Sequence, residues 1–409
     1  MKIIIHPSFK KQFDSLRNKE GFYPLFGRIY DDFTVCHLMG ITSSVYSKSI
    51  GYLTIGKKRP EKPINANKLN GYPFLHAIID SGTIENLQVD IHYNEDVINS
   101  NIEVDINSIN FKRLFIRIDQ NETPLKILRK KKVAIIGMGS GGSLLAVYLS
   151  KSGVKDFIFI DDDQLETHNI IRHICDLTQL GRFKTIAVKD YIEFRIPEAT
   201  ITTVEKKFTI HTKADADFYL DLFKEVDLIV AVSGEHAVNF ALNDLIHSNK
   251  LNVPIIYAGT FDGVKGGLMF KVDPRKEDYC YHCIYSDPIN NGNIKTDSIP
   301  NIIELEKKIS YDRTLQEQLA QPGLGLDIDN LTILLSKFCL DVLLDENQHG
   351  LYQFPYNFYM WFNRTITNKD KTEIKFEGLE LYYYEDLEKD TSCPFHSTQV
   401  LNKDEKEKQ

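Results

Sequence analysis

No stretch of this sequence comes near the roughly 20 apolar residues that a membrane-spanning helix requires, so a bilayer-spanning protein is not expected. Cysteine is scarce, six in 409 residues, which excludes a disulfide-stapled scaffold and suits a reducing compartment. Positive charge is not in surplus either: the formal net charge is −8 and the pI about 5.9. A field of that sign attracts neither nucleic acid nor an anionic membrane, so any basic site has to be local. The start of the chain, MKIIIHPSFKKQF, lacks a long apolar h-region and a small-residue cleavage site, and a cytoplasmic location is the expectation. What is present is the composition of a packed globular protein, 42% apolar and 26% charged. At roughly 100–200 residues per domain, the length suggests two or three structural units.

Residues 1–125 alternate short apolar stretches with turn residues, and no repeat or strong catalytic motif stands out. VCHLMGI, SIGYLTIG, PFLHAIID and KRLFIRID are expected strands; NKLNGYP and YNEDVINSN are expected loops. This is an accessory domain, α/β or β-rich, that we assign to no family. His76 and Asp80 suggest a metal site at first sight, but a lone His beside a strand is more often structural. From residue 126 to 345 the rhythm changes. KVAIIG reads as a buried parallel strand, LLAVYLSKS as a helix, DFIFID as a second strand. TQLGRFKTIAVKDYIEFRI reads as an amphipathic helix stopped by Pro197. ATITTVEKK, DLIVAVSG, VPIIYAGT and GLMFKVD add strands, and NLTILLSKFCLDVLL adds a helix. The alternation predicts an α/β fold with a doubly wound, Rossmann-like, mostly parallel sheet. Residues 346–400 form a β-rich C-terminal segment with FYMWFNRTI and GLELYYYE as strands, and 401–409 a charged tail.

Gly137, Gly139 and Gly142 match G-x-G-x-x-G between a strand and a helix. The chain must turn tightly at the first glycine, the backbone must approach phosphate at the second, and the helix N-terminus offers unpaired N–H groups. Asp161 ends the next strand about 20 residues on, where a carboxylate takes ribose hydroxyls. To this point NAD and ATP fit equally. Asn169 and Arg172 then sit three apart and share a face in a helical turn. Hydride transfer needs neither there. Cleavage of an α–β phosphoanhydride does, because charge builds on the departing pyrophosphate and fixed donors stabilise it. Lys184 can reach the same phosphates as a point charge.

GMGSGG, IDDDQLETHNIIR, LGRFK, CYHC and QPGLGLDI together resemble the ThiF/MoeB/HesA family, relatives of ubiquitin-activating enzymes, over about 130–345, with CPFH extending the likeness to 396. Members bind ATP, which the C-terminal carboxylate of a small partner protein attacks to give an acyl-adenylate and pyrophosphate. The resemblance implies that Asp161 and Asp163 serve the nucleotide and that Asn169, Arg172 and Lys184 hold its phosphates. It implies Mg²⁺, a homodimer, and a ubiquitin-like or sulfur-carrier partner ending in Gly, with a conjugating enzyme as a further partner. The N-terminal unit points to a bacterial conjugation or antiviral defence setting. Two departures stand out. The family's magnesium-holding Asp falls here on Gly234, with Glu235 beside it as candidate ligand. An Arg-bearing helix before the nucleotide strand is not clearly reproduced by NETPLKILRKKK. Two alternatives stay open: an NAD-dependent Rossmann enzyme and a catalytically silent nucleotide-binding scaffold.

Cys280-x-x-Cys283 brings two thiolates onto one turn, as tetrahedral zinc requires. Cys393 and His396 repeat the spacing and complete a Cys₃His set, a structural Zn²⁺ clip holding the C-terminal segment, with His282 a bystander. Of the remaining thiols, Cys339 reads as core and Cys36 lies in a strand. Cys175, close after Arg172, is the best placed for a covalent role. The polar stretch SDPINNGNIKTDS, where relatives carry theirs, has no Cys, so adenylylation without an obligatory thioester is the plainer reading.

Overall fold

In a computed structural model of the chain, the residues described are 2–16, 19–29, 35–41, 48–55, 74–79, 84, 87–93, 96–98, 103–105, 114–118, 123–276, 279–285, 323–345, 350–367, 374–385, 387, 389 and 393–396. They fall into two compact units, residues 1–118 and 119–409.

The first unit is a mixed sheet of eight strands: β1 (Lys2–Ile5), β2 (Gly21–Ile29), β3 (Val35–Gly40), β4 (Lys48–Ile55), β5 (Phe74–Ile79), β6 (Gln88–Tyr93), β7 (Asp96–Ile98) and β8 (Glu103–Asp105). They lie in the order β7-β6-β5-β4-β2-β3-β1-β8. Helix α1 (Pro7–Leu16) carries Phe9 and Phe13 into the core, with Leu16 packed alongside. That i, i+4, i+7 spacing is a helix signal in an otherwise strand-like region. Two expectations change. KRLFIRID is not a strand: Leu114–Ile118 forms a helical turn closed by Ile118 N–H donating to Phe115 C=O, with Phe115 buried and Leu114, Ile116 and Ile118 exposed. An apolar alternation makes a strand only where a neighbouring strand pairs with it. YNEDVINSN is not wholly loop, because Asp96–Ile98 pairs antiparallel with β6. The NKLNGYP loop and Asp80 lie outside the described residues. His76 shares a hydrogen bond with Thr54 Oγ1 at 2.8 Å.

The second unit begins with α2 (Thr123–Leu128), β9 (Lys132–Ile136), α3 (Ser140–Lys151), β10 (Asp156–Ile160), α4 (Lys184–Arg195), β11 (Thr200–Val204), α5 (Lys213–Phe223), β12 (Leu228–Ala231), α6 (His236–Ser248) and β13 (Ile255–Thr260). It ends with β14 (Gly266–Val272), α7 (Tyr281–Tyr285), α8 (Gly325–Asp345), β15 (Phe358–Phe362), β16 (Ile366–Thr367), β17 (Ile374–Phe376) and β18 (Glu380–Tyr384). The main sheet runs β11-β10-β9-β12-β13-β14-β15-β18. Its first five strands are parallel and the last three pair antiparallel. The C-terminal strands thus extend the same sheet beyond its parallel part. Because both faces are covered, the strands read as unbroken apolar runs. Ala134, Ile136, Ile229 and Ala231 point to one core, under α5 and α6. Val133, Ile135, Leu228 and Val230 point to the other, under α3, α4 and α8.

The basic run before β9 is a strap at the far end of the sheet. Arg129 Nη2 donates to both carboxylate oxygens of Glu198, at 2.7 and 2.6 Å. Lys131 pairs with Asp227 at 2.9 Å, and that carboxylate also accepts the Lys132 N–H. Among the described residues, no helix is long and apolar enough to cross a membrane.

Candidate functional site

β9 and β12 are neighbours, and from them the chain departs to opposite sides of the strand order. This is the switch point at which doubly wound sheets open a crevice. Two glycines shape it. Gly137 has φ +96°, and a Cβ there would sit 2.7 Å from the Ser233 backbone; a Cβ on Gly142 would sit 1.9 Å from the Gly137 carbonyl. Gly139 is the N-cap of α3 and faces open space. The helix therefore presents its unpaired N–H groups to the crevice.

Asp161 stands at the end of β10. One of its oxygens accepts the Met138 N–H at 2.6 Å and the other the Asp163 N–H at 2.8 Å. Burial raises its pKa, against the pull of Lys184 and the two backbone donors. Each oxygen keeps a lone pair for a further donor such as a ribose hydroxyl. Lys184, only 7% exposed, opens α4 and sets its ammonium 2.7 Å from Asp163 Oδ2. The helix starts at Lys184 and not at Thr178. The residues before it form a 3₁₀ turn (Leu177–Gln179) and a further turn through Gly181 at φ +80°. Arg182, the other cation of LGRFK, is tied to Asp190 at 2.7 Å.

Asn169 and Arg172 share one helical turn, closed by the Arg172 and His173 N–H groups, both donating to Asn169 C=O at 2.9 Å. Asn169 Oδ1 caps the Glu166 N–H at 3.0 Å, which leaves its amide N–H₂ to donate elsewhere. Arg172 makes no ion pair among the described residues; Asp163 is held by Lys184, and Glu166 faces His168 at 3.3 Å. His173 then bonds the Met138 carbonyl at 2.9 Å. Glycine loop, acidic strand end, Lys184 and the Asn169–Arg172 turn thus form one hydrogen-bonded assembly. His173 was not legible as part of it, although its place beside Arg172 is the available signal.

A second cluster lies elsewhere on the same unit. Cys280, Cys283, Cys393 and His396 have their ligand atoms all within 4.8 Å of one another. The Cys280 sulfur is 3.9 Å from Cys283 and 3.5 Å from Cys393, and His396 Nδ1 is 2.9 Å from the Cys283 sulfur. Four tetrahedral ligands about 2.3 Å from one ion stand roughly 3.8 Å apart, so the set fits zinc with little movement. His282 turns away to Asp244 at 2.7 Å.

The ThiF family model matches residues 112–372, well over half of the chain. The chain belongs to the ThiF family. Among its relatives, an "Adenylyltransferase and sulfurtransferase UBA4" of Candida albicans is 26% identical over 43% of this chain and 38% of that protein. The "Sulfur carrier protein ThiS adenylyltransferase" of Escherichia coli is 26% identical over 39% of this chain and 60% of its own length. This ThiF-family chain therefore spans less than two-thirds of the curated relatives it matches. Among solved structures, E. coli MccB with AMPCPP and MccA superposes with a TM-score of 0.47 at 17% identity, covering 71% of this chain and 74% of that one.

In this ThiF-family chain Gly234, at φ +74°, faces open space. The neighbouring Glu235 carboxylate is paired with Lys207 at 2.7 Å. Lys207 follows β11 and Glu235 follows β12, so their bridge links the two strands that flank β10 and β9 in the sheet order. Asp161, Asp162 and Asp163 hold carboxylate oxygens within 4.8 Å of one another, the hard donors that magnesium prefers. All six cysteines are buried. Burial raises the Cys339 thiol and pushes the Cys36 and Cys175 thiols up to about 12. Cys175 is therefore a core residue rather than a low-pKa nucleophile.

Proposed function

We propose that this chain uses ATP to adenylylate the C-terminal carboxylate of a ubiquitin-like or sulfur-carrier protein ending in Gly, with release of pyrophosphate. The observation that carries the reading is the single assembly joining Gly139, Asp161, Lys184, Asn169 and Arg172, with the Arg172 guanidinium uncommitted among the described residues. A carboxylate oxygen of the partner attacks the α-phosphorus, a P–O bond to it forms, and the bond from that phosphorus to the bridging oxygen of the β-phosphate breaks. The pair of electrons leaves on pyrophosphate. Arg172, Lys184 and the Asn169 amide are donors fixed near the α–β linkage, where that charge develops. The α3 N-terminus cradles phosphate through Gly139, and Asp161 takes the ribose. Magnesium, held by the acidic strand end or by Glu235, would neutralise phosphate charge.

Zinc at Cys280, Cys283, Cys393 and His396 is a closed structural site with no open position for chemistry. With every thiol of this chain buried or in that cluster, the acyl-adenylate passes directly to a nucleophile on another molecule, an amine or a thiol carried by a conjugating partner. Exposed apolar residues flank Arg172: Ile171 is 88% exposed, Leu326 77% and Leu324 60%. They support a protein-covered mouth and a homodimer. Exchange of labelled pyrophosphate into ATP, run with candidate carrier proteins, tests the reading. We expect exchange that depends on an intact C-terminal Gly. ATP binding without exchange for any carrier would favour the silent scaffold.

A further inference from the structure

We propose that His173 is a positioning residue that aims the Gly139 N–H into the phosphate crevice by holding the Met138 carbonyl. The proposal rests on the reading of this crevice as an ATP site. The Met138 peptide groups are gripped from both sides. Its N–H goes to Asp161 Oδ2 at 2.6 Å, and its carbonyl bonds His173 Nε2 at 2.9 Å. The tautomer follows from the second ring nitrogen. His173 Nδ1 accepts the Cys175 N–H at 3.1 Å, so it carries no proton, and Nε2 is the donor. The ring is 9% exposed and stays neutral: burial, with a smaller push from Lys184, lowers its pKa to about 4 against the Met138 hydrogen bond.

The consequence lies in the peptide between Met138 and Gly139. A trans peptide is planar, with its C=O and N–H pointing in opposite directions. Fixing the Met138 C=O on His173 therefore turns the Gly139 N–H away from the ring. That N–H makes no hydrogen bond among the described residues, and the space beside Gly139 is open. His173 also belongs to the Asn169–Arg172 turn through its own N–H. One imidazole thus sets the register between the glycine loop and the turn bearing the two phosphate donors.

Two substitutions separate this role from bulk packing. In His173→Gln the amide nitrogen reaches the place of Nε2 and can still donate to Met138. In His173→Asn it reaches only as far as Nδ1. Calorimetric titration of the whole chain with ATP should show His173→Asn about tenfold weaker, as an unsatisfied carbonyl and misaimed donor imply, and His173→Gln within about threefold of wild type. Amide exchange at 137–140 in the ligand-free protein should quicken in His173→Asn and recover in His173→Gln. In the wild type at pH 6, nitrogen shifts of His173 should report a neutral ring protonated on Nε2. A proton on Nδ1, or Gln and Asn variants equal in affinity and in exchange, would overturn the proposal. Failure of the wild type to bind ATP, with the exchange pattern intact, would sink the adenylation reading and leave the loop positioning standing.

Discussion

The two clusters of the second unit are built on opposite plans. In the Cys/His cluster, four side chains from Cys280 to His396 point at one another, and all four ligand atoms fall within 4.8 Å. Nothing there is left over for a substrate. At the glycine-loop crevice capacity is kept in reserve: Asn169 spends its oxygen on Glu166 and keeps its amide nitrogen, Asp161 is anchored by two backbone donors, and Arg172 is uncommitted among the described residues. A structural site closes on itself, whereas a site for a transient charge keeps donors in reserve.

The largest effect belongs to the closed cluster. We expect about one zinc per chain, and structural zinc contributes on the order of 10 kcal/mol to small metal-folded domains. Here the apolar core around Tyr281 and Phe358 carries part of that load, so Cys283→Ser should lower the melting temperature sharply without unfolding the whole sheet. Metal analysis of protein purified without chelator, followed by calorimetry, checks both. Protein that holds no zinc and melts unchanged would leave the cluster a group of reduced thiols. At the crevice the same calorimetry should hardly respond to loss of the uncommitted Arg172 side chain, and more to loss of the buried, paired Lys184. Arg172→Ala and Lys184→Ala should both cut pyrophosphate exchange by about 10²–10³-fold, the usual loss for one preorganised donor. Robust exchange in both variants would refute the site assignment.

An acid titration probes the join between loop and turn. The His173 pKa falls from 6.5 to about 4 on burial, so between those values the unfolded chain binds the extra proton. Stability is then fully present above about pH 6.5 and is lost as pH falls towards 4, by about 3 kcal/mol at the limit. Lys184 faces the ring and adds to the depression; the Met138 carbonyl opposes it, and the Cys175 N–H blocks Nδ1. His247, also near 4 through burial and His396, gives a similar slope of its own. Only the difference between wild type and His173→Gln therefore reports on His173, and equal slopes would show that the ring is solvated.

Much of this architecture was legible where a few residues decide the outcome. The run KVAII, the glycines after it and the helix LLAVYLSK announce a strand, a tight turn and a helix. Two Cys/His pairs at equal spacing announce one site. What stayed hidden depends on which distant segments become neighbours. Phe9, Phe13 and Leu16 form a helical stripe, but the strands around them set the expectation. Leu114, Ile116 and Ile118 alternate as a strand would, yet no described strand pairs with them. The C-terminal strands read as a separate segment because pairing of β15 with β14 leaves no local trace. The role of His173 needs a partner 35 residues away.

The smallest effect concerns Glu235, where the two plans meet. Its pair with Lys207 is exposed on both sides, 43% and 44%, and such pairs contribute about 0–1 kcal/mol. Removing either partner should leave the melting temperature nearly unchanged, so stability cannot reveal its purpose. Magnesium dependence can, because the two substitutions then act with opposite signs. If Glu235 holds the ion, Glu235→Gln removes an oxygen ligand and raises the magnesium needed for half-maximal exchange, by a few-fold. Lys207→Ala frees the same carboxylate from its competitor and lowers that requirement. A matched pair of shifts in opposite directions assigns the ligand that Gly234 cannot supply. Identical curves for both variants would return magnesium to Asp161–Asp163 and leave Glu235 as the residue that opens α6.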